Sequence, residues 1–322
     1  MKAVITDHHY TDISRAARAL ADAGIELTVG ACSTEDEAIA LGRDADAAIN
    51  QHLPITARVL DGWPRCRGVV HFGKGVDNID VAAATERGIW VTNVRDANWD
   101  EVSNHVLALL LGWARGLVAF DHHVRAGGWS HRLAVPRHRL KGQVLGIVGF
   151  GDIARVLAAK AQGLGLDVLA HSRHPDAAGG VTFVGLGELL RRADYVSLHV
   201  PLTASTAKMI GEKEIALMKP SAFLINTSRG GVIDQQALVA ALRARRIAGA
   251  GLDVTDPEPP AADDPLLALD NVILTPHVAW YSEESREDVT ISAAQEVVRI
   301  LRDQRPLSPV NDVVPRRSCA PA

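Results

Sequence analysis

The stretch Val144–Arg155, VLGIVGFGDIAR, joins a run of small and β-branched residues to a helical pattern of apolar residues. Gly149 and Gly151 separate the two parts, and Ala154 occupies the third small position of a G-x-G-x-x-A pattern. Such glycines permit a tight turn and let the backbone approach a pyrophosphate, which then faces the N–H groups of the new helix. The stretch therefore predicts a strand, a turn and a helix that bind a dinucleotide, and the strand predicted at Asp167–His171 completes the βαβ unit.

The composition is that of a globular protein long enough for two domains. The chain has 322 residues, of which 47% are hydrophobic and 22% charged, and its formal net charge is -4. That charge gives no footprint for nucleic acid or an anionic membrane surface. The first apolar run ends at Asp7, which predicts no signal peptide, and the longest, Val106–Ala114, is too short to span a bilayer.

Cysteine and histidine usage carries no metal signature. The three cysteines are odd in number and lack C-x-x-C spacing, which predicts a reducing, cytoplasmic setting. Adjacent histidine pairs such as His8-His9 and His122-His123 point to different faces of a strand or helix. We therefore expect no metal site.

Two series of alternating β-type and helical patterns run along the chain, at about residues 2–98 and 144–274. Alternation of this kind predicts parallel sheets with helices on both faces. The first series has predicted strands at Ala3–Thr6, Glu26–Val29, Ala47–Asn50, Gly68–Phe72 and Ile89–Thr92. The second series begins with the strand that starts at Val144 and the strand Asp167–His171. Its later predicted strands are Tyr195–Leu198, Ala222–Asn226, Gly249–Asp253 and Val272–Leu274. The expected fold is α/β, with two doubly wound parallel-sheet domains.

A long helix is predicted between the two series, at about Glu101–Arg125, followed by irregular chain to Lys141. The helix is apolar on most sides, so another domain or a second subunit must cover it. A last helix is predicted at about Ser282–Asp303, and the chain to Pro309 is expected to cross back to the first domain. The predicted domains are therefore 1–98 plus about 290–322, and 99–289, the latter containing the helix and loop 101–141.

Three polar residues follow the last strands of the second series, where open α/β sheets bind their ligands. Arg229 follows one strand in NTSRGG, and a guanidinium there can grip a carboxylate or merely tie one loop to another. Glu258 follows the next strand, and His277 the one after it. Taken singly, Arg229 is equally well explained by a structural role, Glu258 is better explained as a solvated glutamate, and His277 is better explained as a structural histidine. Three such residues at successive strand ends predict a catalytic site.

Several ordered motifs resemble those of the D-isomer-specific 2-hydroxyacid dehydrogenases. They are GFGDIA at 149–154, HVPLT at 199–203, INTSRGGVID at 225–234, GLDVTDPEP at 251–259 and TPH at 275–277. GKGVDNID at 73–80 is similar to the substrate-domain motif of that family, so the resemblance spans nearly the whole chain. It implies a flavodoxin-like substrate domain, a Rossmann dinucleotide-binding domain and hydride transfer between a nicotinamide cofactor and a 2-oxo acid or D-2-hydroxy acid.

By that resemblance Arg229 binds and polarises the 2-oxo acid, His277 is the general acid/base, and Glu258 orients His277. Histidine suits the task because it titrates near neutral pH and can protonate the carbonyl oxygen as hydride reaches the carbon. A carboxylate on its other ring nitrogen fixes the tautomer. We expect the enzyme to work mainly as a 2-oxo acid reductase.

The remaining site residues are predicted from their places in the same motifs. The cofactor set is Gly149, Phe150, Gly151, Asp152, Ile153, Ser172, Arg173, His174, Val200, Pro201, Thr206, Thr227, Ser228, Arg229, Asp253 and His277. The substrate set is Phe72, Gly73, Lys74, Gly75, Arg229, His277 and Trp280.

Ser172 occupies the position where NAD-using members of the family carry an acidic residue for the ribose 2′-hydroxyl. Without that acid, a 2′-phosphate meets no repulsion, and the adjacent Arg173 can bind it. The sequence thus predicts a preference for NADP(H). The alternative is that Arg173 points to solvent and NAD(H) binds without the carboxylate.

Two departures from the family pattern leave alternatives open. Lys74 stands where a small or neutral residue is usual, which resembles phosphite dehydrogenases and allows oxidation of a small oxyanion; the alternative is a lysine in solvent. The run from Trp280 to Glu283 resembles the C-terminal binding proteins, a branch that includes corepressors, and allows a binding protein that senses dinucleotide. Trp280 either walls a pocket for a larger 2-oxo acid or packs at the domain junction.

The resemblance also implies a homodimer, since members of the family form their two-fold interface from the helix and loop of 101–141. Hinges are expected near Asn98 and after Trp280, so that the domains close over the substrate.

Overall fold

The computed structural model describes residues 1–94, 96–132, 137–175 and 179–313. Its internal contacts divide the chain into two compact units. The first is Met1–Asn98 with the chain from Ser282 onward, and the second is Trp99–Tyr281.

The first unit is built on a five-stranded sheet of order β2-β1-β3-β4-β5, with every pairing parallel. The strands are β1 (Lys2–Ile5), β2 (Glu26–Val29), β3 (Ala47–Asn50), β4 (Gly68–His71) and β5 (Trp90–Thr92). The helices between them are α1 (Ser14–Asp22), α2 (Glu35–Gly42), α3 (Ala57–Asp61) and α4 (Val81–Glu86). The middle strands β3 and β4 are buried along their whole length, as expected when helices cover both faces of a parallel sheet.

The C-terminal helix, Glu283–Leu301, belongs entirely to the first unit. Ser282 caps it, because the Ser282 hydroxyl accepts from the Ser285 N–H at 2.9 Å. The boundary expected at 289 therefore lies at 281, because a continuous helix packs as one piece. The predicted return of the chain is confirmed, since Pro309 forms an antiparallel bridge with Thr92.

The second unit is built on a seven-stranded parallel sheet of order β12-β11-β10-β9-β6-β7-β8. Its strands are β6 (Val144–Val148), β7 (Asp167–His171), β8 (Val181–Phe183), β9 (Tyr195–Leu198), β10 (Phe223–Asn226), β11 (Gly249–Leu252) and β12 (Val272–Leu274). The helices are α5 (Trp99–Arg115), α6 (Leu117–Arg125), α7 (Asp152–Gly163), α8 (Leu186–Arg192), α9 (Glu212–Leu217) and α10 (Gln235–Arg243). The edge strand β8 was not predicted.

Two apolar cores lie on opposite faces of this sheet. Phe223 and Ile225 of β10 belong to one core, and Leu224 between them belongs to the other. Ala154 is fully buried in the first core, as the third small position of the glycine motif requires. The α/β architecture with two doubly wound parallel sheets is therefore confirmed.

The single helix predicted at Glu101–Arg125 is wrong in one respect, since the structure has two helices bent by 57°. Gly116 lies between them in the left-handed region, with φ +65, and ends α5 there. α5 is largely buried on its apolar face, whereas α6 buries none of its residues within this described chain. Among the described helices, none is by itself both long and apolar enough to cross a bilayer.

Candidate active site

The loops that carry the three predicted catalytic residues are adjacent. β10, β11 and β12 are neighbours in the sheet and run parallel, so their carboxyl ends share one edge. Arg229 follows β10, Glu258 follows β11, and His277 follows β12. The topology therefore brings together residues that are up to 48 positions apart (277 − 229 = 48).

His277 and Glu258 are in direct contact. The His277 Nδ1 atom lies 2.9 Å from Glu258 Oε2. Burial raises the pKa of Glu258, but the hydrogen bond and charge of His277, the Thr255 N–H and the Arg229 charge outweigh burial, so the pKa is lowered overall. The ionised carboxylate can only accept, so His277 Nδ1 carries a proton and Nε2 is the atom available for proton transfer.

The loop that carries Arg229 is held by Asn226, the last residue of β10. The Asn226 amide donates to the Arg229 carbonyl at 2.8 Å, and its oxygen accepts from the Ser228 N–H at 3.0 Å and the Ser228 hydroxyl at 2.7 Å. The Arg229 guanidinium donates to the Ser228 carbonyl at 2.8 Å. Asn226 is fully buried and was not among the predicted residues. The sequence signal that could have identified Asn226 is a polar residue at the end of an otherwise apolar strand.

Gly230 lets the Arg229 loop approach the Glu258 loop. A Cβ atom on Gly230 would lie 2.0 Å from the Thr255 carbonyl oxygen and 2.1 Å from its carbon. Thr255 also donates its N–H to Glu258 Oε1 at 3.0 Å. A glycine is therefore required where the two loops meet.

Asp253, predicted to contact the cofactor, is only 2% exposed. Its carboxylate accepts from the Thr275 hydroxyl at 2.6 Å and from the Val278 and Ala279 N–H groups, both at 2.9 Å. These bonds satisfy a buried charge that would otherwise be costly. They also fix the chain on either side of His277, whose φ is +53.

The glycine motif has the geometry of a dinucleotide site. Gly149 has φ +89, and a Cβ atom there would lie 2.6 Å from the His199 carbonyl oxygen and 2.7 Å from Val200 Cγ1. Gly151 is the N-cap of α7 and, within the part of the chain that the structure describes, makes no side-chain cap bond and leaves open space for 4 Å around a Cβ position. The first N–H groups of α7 can therefore face a pyrophosphate.

Other residues of the predicted cofactor set follow strands β6, β9 and β10. The Thr227 hydroxyl is buried and has no hydrogen-bond partner among the described residues, so it fits a ligand that supplies one. The Thr206 hydroxyl instead donates to the Pro201 carbonyl at 2.5 Å. Phe150 is 8% exposed and packs edge-on against Phe183, so its side chain belongs to the core of the unit. Asp152 and Ile153 form the first turn of α7.

The end of β7 carries the predicted adenosine-ribose residues. The Ser172 hydroxyl accepts from the His174 N–H at 3.2 Å, which forms a tight turn. Arg173 and His174 are both exposed at this turn. The acidic side chain typical of NAD-using family members is absent at Ser172.

The glycine loop of the first unit has a turn that only glycine accepts readily. Gly73 has φ +145, and its N–H donates to the His71 carbonyl at 2.9 Å. The Asn93 amide donates to the Lys74 carbonyl at 2.6 Å. Phe72, predicted to contact substrate, is 4% exposed, so its side chain belongs to the core of the unit.

Trp280 is tied to the loop that carries His277. Its indole N–H donates to the His277 carbonyl at 3.0 Å, and its ring stands edge-on to Tyr281 with 5.6 Å between centroids. Both contacts are local, and both are compatible with either role that the sequence left open for Trp280.

Comparisons with known proteins identify the family of the chain. A family model described as D-isomer specific 2-hydroxyacid dehydrogenase, NAD binding domain, matches residues 107–279. The glyoxylate reductase of Korarchaeum cryptofilum is 42% identical over 280 residues, which cover 84% of each chain.

Two solved structures have the same fold along the whole chain. A glyoxylate reductase from Paecilomyes thermophila superposes with a TM-score of 0.88 at 28% identity, covering 96% of this chain and 98% of that one. An acyclic imino acid reductase, solved with NADPH and D-Arg, gives a TM-score of 0.89 at 31% identity, covering 97% and 100%. The chain therefore belongs to the D-isomer-specific 2-hydroxyacid dehydrogenases and is a nicotinamide-dependent oxidoreductase of that family.

Proposed function

We propose that the protein reduces a small 2-oxo acid, with glyoxylate as the first candidate, and that Arg229, Glu258 and His277 carry out the chemistry. The observation that carries the proposal is the 2.9 Å contact between His277 and Glu258, beside the loop of Arg229. The glyoxylate reductases at about 40% identity support a small substrate.

The cofactor, when bound, supplies hydride to the carbonyl carbon of the substrate. The Arg229 guanidinium binds the carboxylate of the 2-oxo acid through its planar pair of donors and polarises the carbonyl. His277 Nε2 donates the proton to the carbonyl oxygen, while Glu258 on Nδ1 fixes the ring and stabilises the imidazolium. The resemblance to the family also assigns substrate contacts to the N–H groups of the Gly73–Gly75 loop, where Lys74 carries a positive charge.

NADP(H) is the proposed cofactor, with NAD(H) bound more weakly. Ser172 supplies no carboxylate to repel a 2′-phosphate, and its hydroxyl is part of the turn with His174. Arg173 and His174 are exposed at the same turn and can bind the phosphate. The NADPH in the solved acyclic imino acid reductase agrees with this choice.

A homodimer is proposed from the apolar side chains that α6 and its following loop leave exposed. Leu117 is 61% exposed, Val118 42% and Val124 47%, and Trp129 in the loop is 89% exposed. A second copy of this chain, seated on α6 and the loop, would remove these side chains from water. We also propose that the enzyme acts in the cytoplasm, in keeping with an odd number of cysteines that lack C-x-x-C spacing.

The proposal is tested by following NADPH and NADH oxidation with glyoxylate, hydroxypyruvate, pyruvate, 2-oxo-4-methylthiobutyrate and phenylpyruvate. We expect turnover of glyoxylate with NADPH. Reduction of NAD(P)⁺ by phosphite would instead favour the oxyanion alternative raised by Lys74. Tight NADPH binding without turnover of any acid would favour a dinucleotide-sensing protein.

A further inference from the structure

His105 belongs to helix α5 and not to a strand-end loop, but its side chain contacts the loop that carries His277. The His105 Nε2 atom is 2.9 Å from the Thr275 hydroxyl oxygen, which is 2.6 Å from Asp253 Oδ1. The side chains of His105 and Asp253 are only 19% and 1% exposed. A chain of hydrogen bonds therefore runs from α5 to the end of β11, largely shielded from water.

The direction of each bond follows from the chemistry of its partners. A carboxylate only accepts, so the single hydroxyl proton of Thr275 is given to Asp253. The Thr275 oxygen then accepts from His105, whose Nε2 must carry a proton. Hydroxyl bonds to a carboxylate are short and stronger than neutral ones, in keeping with 2.6 Å here.

Asp253, which accepts the Thr275 hydroxyl proton, also holds the backbone around His277 by hydrogen bonds. One carboxylate oxygen accepts from the Val278 N–H and the other from the Ala279 N–H, while the Asp253 carbonyl accepts from the His277 N–H at 2.8 Å. A left-handed conformation at a residue other than glycine is strained and persists only when its surroundings impose it. His277, at φ +53, is held in that conformation from both sides.

We propose that His105 is a positioning residue of the catalytic site. Through Thr275 and Asp253 it fixes the backbone of residues 277–279 and so directs the His277 ring toward Glu258. The inference deepens the proposed function and rests on it.

The experiment compares variants that break each bond with variants that keep it. Thr275→Val removes the hydroxyl and Thr275→Ser keeps it, while His105→Phe removes the donor and His105→Gln keeps an N–H. Thr182→Val, on the exposed edge strand β8, is the matched control. Each protein is assayed for kcat and KM with glyoxylate, for the Kd of NADPH by fluorescence, and for its thermal midpoint.

We expect Thr275→Val and His105→Phe to lower kcat by about 10- to 100-fold, because small displacements of a reacting group cost this much. The Kd of NADPH stays within about 2-fold of wild type, and Thr275→Ser and His105→Gln recover most of kcat, which a purely structural role would not produce. Unchanged kcat in both breaking variants, or a loss of NADPH affinity with kcat intact, would overturn the proposal.

A second readout does not depend on turnover. We expect NMR to show the Nδ1 proton of His277, hydrogen-bonded to Glu258, in wild type, and we expect its signal to be lost in Thr275→Val and His105→Phe. If it persists in both, the positioning role is refuted, whatever the activity. A wild type that keeps this proton but reduces no 2-oxo acid would contradict the proposed function alone.

Discussion

His277 Nδ1 and Glu258 Oε2 lie 2.9 Å apart at the carboxyl ends of two neighbouring strands. This contact assigns the two ring nitrogens different tasks, since Nδ1 donates to the carboxylate and Nε2 is left for proton transfer. The arrangement also depends on residues other than this pair, including Gly230, Asn226 and Asp253.

The pKa of Glu258 should depend on its partner. Burial raises this pKa and His277 is the main group that lowers it, so His277→Gln should raise it, because burial remains when the counteracting bond and charge are lost. Carbon NMR titration of the Glu258 carboxyl in wild type and His277→Gln measures the shift. An unchanged value would mean that His277 does not stabilise the carboxylate.

The same shift sets the sign of the pH dependence of stability. In wild type the folded pKa of Glu258 lies below the unfolded value of about 4.3, so its contribution to stability is complete above that pH and is lost as the pH falls through the folded pKa. Urea unfolding of wild type and Glu258→Gln between neutral and acid pH checks this. The difference in free energy of unfolding should shrink as the pH falls; a constant difference would contradict it.

Gly230→Ala should disrupt the contact between the Arg229 and Glu258 loops. The new methyl group would lie 2.0 Å from a backbone oxygen, which cannot rotate away as a side chain can. We expect a loss of about 1–3 kcal/mol in the free energy of unfolding, as for other overpacked sites, together with a fall in kcat. Gly163→Ala is the matched control, because a Cβ there meets no described atom within 4 Å. Equal behaviour of the two variants would contradict the close approach.

The cofactor preference should reverse at the end of β7. Arg173→Ser removes the proposed phosphate partner, and Ser172→Asp adds a charge that repels the 2′-phosphate and accepts from a ribose hydroxyl. The double variant should shift the ratio of kcat/KM for NADPH over NADH by about 10- to 100-fold toward NADH, or about 1.4–2.8 kcal/mol. A ratio that stays constant would place the 2′-phosphate elsewhere.

The exposed face of α6 should decide the oligomeric state. Leu117→Glu places a charge at a residue that is 61% exposed and that a dimer would bury. Sedimentation velocity should give a dimer for wild type and a monomer for Leu117→Glu. Leu267→Glu, at a leucine of the same unit that is 49% exposed, should remain dimeric. A monomeric wild type at micromolar concentration would contradict the interface.

Much of the fold follows from local patterns in the sequence. Strands such as Glu26–Val29 and Ala47–Asn50 begin and end where predicted, because short β-type runs are bounded there by turn residues. The break at Gly116 was missed because apolar residues continue on both sides of it. An isolated glycine inside a helical pattern does not show whether it stays helical or turns left-handed.

Residues of the candidate site could be predicted only where a reactive side chain directly follows a strand. Arg229, Glu258 and His277 could be found because each follows a strand, and parallel strands bring such positions to one edge. His105 could not be found in this way. It lies in the middle of an apolar helix, 170 residues before Thr275, and only the folded chain joins them.

The central claim is that His277 supplies the proton when the 2-oxo acid is reduced. Its most direct test is a single turnover of NADPH-bound enzyme with glyoxylate, in wild type and His277→Gln, with the Kd of NADPH measured in parallel. We predict that the rate falls by about 10²–10⁴-fold in the variant while NADPH binds as before. A His277→Gln enzyme that reduces glyoxylate at the wild-type rate would contradict the account.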